Sequence, residues 1–147
     1  MLQKDLRAFI ELLNSSGVEY VVVGGFALAF HGLPRYTGDI DFLIRSTEEN
    51  AGRLLSALAA FGFASLGIAA DDFLKPDSIV QLGYPPNRID LLTSISGVDM
   101  DSVWRNAVDG AIDGIAVRFI GRKELIRNKR ASGRAKDLAD LDALDAE

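Results

Sequence analysis

Cysteine is absent from the 147-residue chain. Disulfides and thiolate metal sites are therefore excluded, and a reducing compartment fits the composition. Histidine is almost absent as well. His31 is the only one, so a phosphohydrolase centre built on several histidines lacks its ligands. Long apolar runs are missing, and no stretch approaches the length of a membrane span. The start, MLQKDLRAFIELL, is interrupted by charge, unlike a signal peptide, so a cytoplasmic location is expected. Positive charge is in deficit. A net charge of −5 argues against a general DNA binder that works through bulk positive charge. It leaves room for a nucleotide site with local basic residues. No internal repeat or low-complexity tract is evident. With 48% hydrophobic and 25% charged residues, the chain reads as one globular domain spanning 1–147.

The informative stretch runs from Tyr20 to Ile44, YVVVGGFALAFHGLPRYTGDIDFLI. Tyr20 to Val23 is a continuous β-branched apolar run, the mark of a strand covered on both faces. Gly24 and Gly25 break it, and Phe26 to Phe30 are apolar enough for a short buried helix. A diglycine permits φ > 0 and lets a backbone N–H approach a ligand without a side chain in the way. A helix start after such a turn suits a phosphate. The second strand opens on Asp39-Ile40-Asp41. Alternation sends Asp39 and Asp41 to one face and Ile40 and Phe42 to the other. Two adjacent carboxylates with apolar flanks are costly to bury. A divalent cation removes that cost, and Mg²⁺ prefers carboxylate oxygen. The plain alternative is a strand-end acid pair facing solvent.

The remaining elements follow in order. Leu2 to Ser16 has the apolar spacing of an amphipathic helix (Leu2, Leu6, Phe9, Ile10, Leu13), with Gly17 as its stop. Ser46 or Thr47 can cap a helix that carries Glu48 and Glu49 in its first turn and ends near Gly62. Phe63 to Asp77 is the least readable segment, and Asp71-Asp72 fits either a solvated acidic loop or a helix start. Ser78–Leu82 and Ile89–Leu92 form a hairpin around Gly-Tyr-Pro-Pro-Asn. On its second strand Arg88, Asp90 and Leu92 share a face. An acid in an apolar strand is costly unless paired or metal-bound, and the structural alternative is a pair with Arg88 or hydrogen bonds from a neighbouring loop. A short helix over Asp99–Asn106 precedes two strands joined at Asp113-Gly114, a type I′ hairpin turn. Lys123–Lys129 and Lys136–Leu144 read as helices separated by Ala131-Ser132-Gly133. The order of elements predicts an α+β fold: a short mixed sheet with helices packed on it.

Arg127, Lys129, Arg130, Arg134 and Lys136 concentrate positive charge in an otherwise acidic chain. One reading is a triphosphate clamp that includes Lys129 and Lys136. The other is a solvated helix face partnered by Asp137 and Asp140. Three acids, Asp39, Asp41 and Asp90, suit two divalent ions about 3.5–4 Å apart that clamp an in-line phosphoryl displacement. With Gly24 and Gly25 holding terminal phosphates and basic residues balancing charge, this is nucleotidyl transfer. An NTP and an acceptor give nucleotidyl-acceptor and pyrophosphate. The ions expected are Mg²⁺, or Mn²⁺ in its place. Arg35 precedes the acids and is expected either to contact a phosphate or to pair with Asp39 or Asp41. His31 is expected to cap or pack.

The pattern Gly24-Gly25, then Asp39-Ile40-Asp41, then Asp90 within RIDLL resembles the DNA polymerase beta-type nucleotidyltransferase superfamily. The wording around it is similar to small prokaryotic members, namely minimal nucleotidyltransferases and abortive-infection type nucleotidyltransferase toxins. KRASGRAKDLADL is similar to a basic segment of the latter. The resemblance covers roughly Glu19 to Leu92. It implies that fold, with Gly24, Gly25, Asp39, Asp41 and Asp90 at the functional positions. No separate acceptor-binding domain fits in this length, so the acceptor site is expected to be small, or supplied by a protein partner or a second copy. The expected acceptor is a small molecule, a tRNA end or a protein hydroxyl. The alternative function is a non-catalytic nucleotide-binding or toxin–antitoxin partner module on the same fold.

Overall fold

The computed structural model describes residues 4–33, 38–63 and 66–145. Its helices are α1 (Lys4–Ser15), α2 (Gly24–Phe30), α3 (Glu48–Phe61), α4 (Met100–Arg105), α5 (Arg122–Ser132) and α6 (Ala135–Asp145). Its strands are β1 (Tyr20–Val23), β2 (Asp39–Ile44), β3 (Ile79–Leu82), β4 (Arg88–Leu92), β5 (Val108–Ile112) and β6 (Ile115–Phe119). The six strands form one mixed sheet in the order β3-β4-β2-β1-β6-β5. The α+β architecture expected from the sequence is the one observed.

Strand pairing fixes which side chains meet. β2 runs antiparallel to β1, with Val23 opposite Asp41, and parallel to β4, with Asp39 opposite Arg88 and Asp41 opposite Asp90. β3 pairs antiparallel with β4, placing Ile79 opposite Leu92. Cross-strand partners share a face, so one face carries the acids. By alternation Ile40, Phe42 and Ile44 point the other way. There Phe42 meets Phe9 of α1 and Tyr20 edge-on, at ring separations of 5.8 and 5.3 Å, and Phe9 in turn meets Phe61 of α3. These buried rings anchor β2 from behind.

Local signals explain most boundaries. Gly17 lies at φ +72 just past α1. Thr47 caps α3 by accepting the Asn50 N–H at 3.1 Å, and Gly62 closes that helix at φ +104. Asn50 is fully buried. Its amide accepts from the Glu19 N–H at 2.7 Å and donates to the carbonyls of Glu19 and Arg45. That satisfies the amide and ties α3 to the start of β1 and the end of β2. Asp113 and Gly114 have φ 51 and +79, as a type I′ turn requires.

Some boundaries differ from expectation. α2 starts at Gly24 rather than Phe26, because the diglycine forms the first turn of the helix instead of a separate loop. α5 extends to Ser132, since neither Ala131 nor Ser132 breaks a helix and the stop is Gly133 at φ +66. The segment after α3 contains a short 3-10 turn, Ala70–Phe73. Asp72 accepts the Ala69 N–H at 2.8 Å and Phe73 is fully buried. Asp72 therefore initiates the turn. The expected start of α1 at Leu2 falls outside the described residues.

No described helix is long and apolar enough to cross a membrane.

Candidate active site

Asp39, Asp41 and Asp90 converge. One carboxylate oxygen from each lies within 4.8 Å of the others. The parallel register of β2 and β4 causes this, since Asp41 and Asp90 are direct neighbours and Asp39 is two residues along the same face. Octahedral Mg²⁺ with oxygens at about 2.1 Å needs ligand atoms about 3.0–4.2 Å apart. A small side-chain adjustment reaches that spacing.

Among the described residues, Arg88 is the cation against the cluster. Its Nε donates to Asp90 Oδ1 at 3.0 Å, and its Nη2 donates to Asp90 Oδ2 at 3.1 Å and to Asp39 Oδ2 at 3.0 Å. Among the described residues, this one guanidinium faces the three carboxylates. Burial, the Asp39 charge, and the hydrogen bond and charge of Asp90 together push the Asp41 carboxyl up to about 8, despite the opposing pull of Arg88. Asp41 therefore holds a proton near neutrality unless a further cation arrives. The donor set, all carboxylate oxygen with surplus negative charge, fits a hard divalent ion.

Gly24 makes the close packing at Asp41 feasible. It lies at φ +69, and a Cβ on it would come within 2.1 Å of Asp41 Oδ2. Gly24→Ala is expected to lose about 1–2 kcal/mol to the left-handed backbone. It is also expected to reduce catalysis at least about tenfold by displacing Asp41. Gly114→Ala makes a clean comparison. Its φ is +79, but a Cβ there meets nothing within 4 Å. It should lower the melting temperature by a similar amount and leave the transfer rate unchanged. Thermal denaturation and a transfer assay on both variants check this.

The acids open into a cleft of about 500 Å³. Gly24 and Gly25 line it beside the acids. Lys129, Ser132, Arg134, Lys136 and Asp137 also line it, and Ile79, Leu92 and Ile95 give it an apolar part. Of the five basic residues singled out in the sequence, Lys129, Arg134 and Lys136 reach the cleft wall. Arg127 and Arg130 are exposed and are not among its lining residues.

Lys129 is not a solvated residue. Only 6% of it is exposed, and its Nζ sits 2.9 Å from Asp137 Oδ1 and 3.1 Å from Asp140 Oδ2. Asp137 also accepts from Ser132 and from Arg134 Nε. Burial works to raise the Asp137 carboxyl, but hydrogen bonds from Ser132, Lys129 and Arg134 outweigh it. They hold the group well below the usual carboxylate range. Lys129 thus has the acidic partners expected for it, Asp137 and Asp140, and lines the cleft, but the solvated helix face is corrected: docking of α6 buries it. Lys136 is exposed on the cleft wall. Arg35 lies outside the described residues. His31 follows α2, where its Nε2 is 2.7 Å from the Ile120 carbonyl oxygen, a packing role.

Sequence reasoning missed two features. The link from Arg88 to Asp39 spans two strands and depends on their register. The signal available was an arginine two residues before the third acid. The apolar side at Ile79, Leu92 and Ile95 gave no separate signal.

No curated protein matches the chain. A candidate nucleotidyltransferase from Thermotoga maritima superposes with a TM-score of 0.63 at 17% identity, covering 97% of this chain and 91% of that one. A nucleotidyltransferase-like antigenic protein from Paracoccidioides brasiliensis gives 0.57 at 21% identity, covering 95% and 72%. Both show the same fold. The family model for the nucleotidyl transferase AbiEii toxin of type IV toxin–antitoxin systems matches residues 11–112, the span that holds the diglycine and all three acids. The chain belongs to this AbiEii nucleotidyltransferase family.

Proposed function

We propose that this enzyme transfers a nucleoside monophosphate from an NTP to an acceptor hydroxyl, releasing pyrophosphate, and that it uses divalent cations held by Asp39, Asp41 and Asp90. The observation that carries the reading is the convergence of those carboxylates against Gly24, with Arg88 bonded across Asp39 and Asp90. Mg²⁺ or Mn²⁺ bound there supplies charge neutralisation of the triphosphate and acidifies the acceptor hydroxyl.

The chain's own groups do the rest. Backbone N–H groups at Gly24 and Gly25 hold the terminal phosphates. Lys129, Arg134 and Lys136, which line the same cleft, balance the charge that spreads onto the phosphoryl oxygens, and Arg35 is assigned to the same task. Asp90 takes the acceptor proton. The acceptor oxygen then bonds to the α-phosphorus as the bond from that phosphorus to the bridging oxygen breaks. Pyrophosphate departs with the electron pair of that bond. The apolar side of Ile79, Leu92 and Ile95 suits a flat or aliphatic part of the acceptor. The acceptor itself is a small molecule, a tRNA end or a protein hydroxyl. As a member of a toxin family, the enzyme is proposed to work in the cytoplasm with a counterpart antitoxin protein.

The test is label transfer. Wild-type protein is incubated with each α-labelled NTP, Mg²⁺ or Mn²⁺, and separated tRNA, protein and small-molecule fractions of a cell extract. One fraction should become labelled, with pyrophosphate released in equal amount, and a chelator should stop it. No label in any fraction, together with Asp41→Asn and Asp90→Asn variants that bind NTP as wild type does, sinks the proposal.

A further inference from the structure

We infer that Arg88 is a tethered counter-cation for the carboxylate cluster, one that exchanges with the incoming divalent ion rather than remaining beside it. The inference rests on the proposed metal use of the three acids. Arg88 does not pair with one acid at the rim. Its fork takes both oxygens of Asp90, and the same Nη2 reaches Asp39. It thus spans two of the three groups that converge within 4.8 Å. Asp41, the third, is the direct cross-strand neighbour of Asp90.

A divalent ion bound to the same oxygens would sit against the guanidinium, and like charges at contact distance repel. The acids also have little to gain from holding both. Arg88 already occupies both oxygens of Asp90, the residue proposed to receive the acceptor's proton, so Arg88 must let go before those oxygens can meet the acceptor or an ion. Arg88 is able to leave. Its side chain is about 30% exposed, it lines the open cleft, and among the described residues Asp39 and Asp90 are its ion-pair partners. Asp39 and Asp41, by contrast, are held on a strand whose reverse side is fully packed.

The arrangement has two consequences. Without metal, Arg88 keeps three adjacent carboxylates from forcing the β2–β4 pair apart. With metal, breaking its bonds subtracts from the affinity, so the enzyme binds its cation more weakly than the naked acid cluster would.

Calorimetry with Mn²⁺ at fixed pH tests this on wild type, Arg88→Gln and Asp41→Asn. Arg88→Gln should bind Mn²⁺ about tenfold tighter than wild type. Its melting temperature should be lower than wild type in chelator and equal to it in saturating Mn²⁺. A residue that only braces the sheet would lower stability with and without metal and leave affinity unchanged, and that result overturns the inference. So does weaker binding by Arg88→Gln. In either case the proposed function stands if Asp41→Asn abolishes Mn²⁺ uptake. If no variant or wild type takes up Mn²⁺, both fall. Should Arg88→Gln fail to fold, the wild-type protein decides. The ¹⁵N resonance of the Arg88 Nε–H should move toward the free-arginine position as Mg²⁺ is added. A signal that stays put while Mg²⁺ binds rules exchange out.

Discussion

Asp41→Asn is expected to cut nucleotidyl transfer about a thousandfold, ~4 kcal/mol of barrier, while leaving the metal-free fold at least as stable as wild type. The first half follows from position. Asp41 sits between Asp39 on its own strand and Asp90 on the next, so it is the carboxylate best placed to touch any ion the cluster holds. The second half follows from charge. Burial comes first, and the two neighbouring acids add to it, in raising the Asp41 carboxyl to about 8 from an ordinary 3.8. The folded protein therefore binds a proton that the unfolded chain releases above about pH 4. Its stabilising share is complete below about pH 4 and is lost as pH rises through about 8. Metal-free wild type should show a falling melting temperature over that window. Asparagine carries no titrating group, so the variant should be flatter there. Melting curves in chelator from pH 4 to 9 check the sign. A flat wild-type curve, or a variant less stable than wild type at pH 8, contradicts it.

Lys129→Met is expected to destabilise the protein by about 3–5 kcal/mol. The lysine is buried between Asp137 and Asp140, themselves only 1% and 6% exposed. Removing it takes the buried cation away from two buried carboxylates, a much larger cost than losing a surface pair. Arg134 and Ser132 still bond Asp137, which keeps the expected figure from going higher. The pH signature is opposite to that of Asp41. Asp137 is held below the usual carboxylate range, so its contribution is present above about pH 4 and fades as pH falls below it. Urea denaturation at pH 7 and pH 3 distinguishes the two. The gap between wild type and Lys129→Met should shrink in acid. An equal gap at both pH values would mean that lost packing, not lost pairing, is responsible.

Much of the fold is legible in the sequence where a local rule operates. The Tyr20–Val23 run, the Asp39–Ile44 alternation and the Asp113-Gly114 turn all match the observed elements. In each, covalent geometry or strand periodicity decides the outcome within a few residues. What could not be read depends on distant partners. The sheet order is one case: nothing in β4 announces that it lies parallel to β2, and the juxtaposition of Arg88 with Asp39 follows only from that register. The burial of Lys129 is another. Its helix, RKELIRNKRAS, looks solvated, and only the docking of α6 supplies Asp137 and Asp140. The 3-10 turn at Ala70–Phe73 rests on one side-chain cap and one buried ring, too little pattern to see beforehand.

The join between β1 and β6 is the thinnest part of the sheet. Their register consists of Val22 with Phe119, extended by an amide bond from Ile120 to Val22. Side chains do the remaining stitching. Asn14 of α1 donates to the Ala116 carbonyl and accepts the Tyr20 hydroxyl, and Arg7 reaches the Asp113 carbonyl at the hairpin tip. The molecule thus has a natural tear line, riveted from α1 and from the end of α2, where Phe30 stacks on Phe119 and His31 meets the Ile120 carbonyl. Amides of β5 and β6 can exchange with solvent through an opening that spares the four strands bearing the acids. Substitutions at Asn14 would tune how often that opening occurs, and a peptide that slips into the gap would find unpaired backbone on either side.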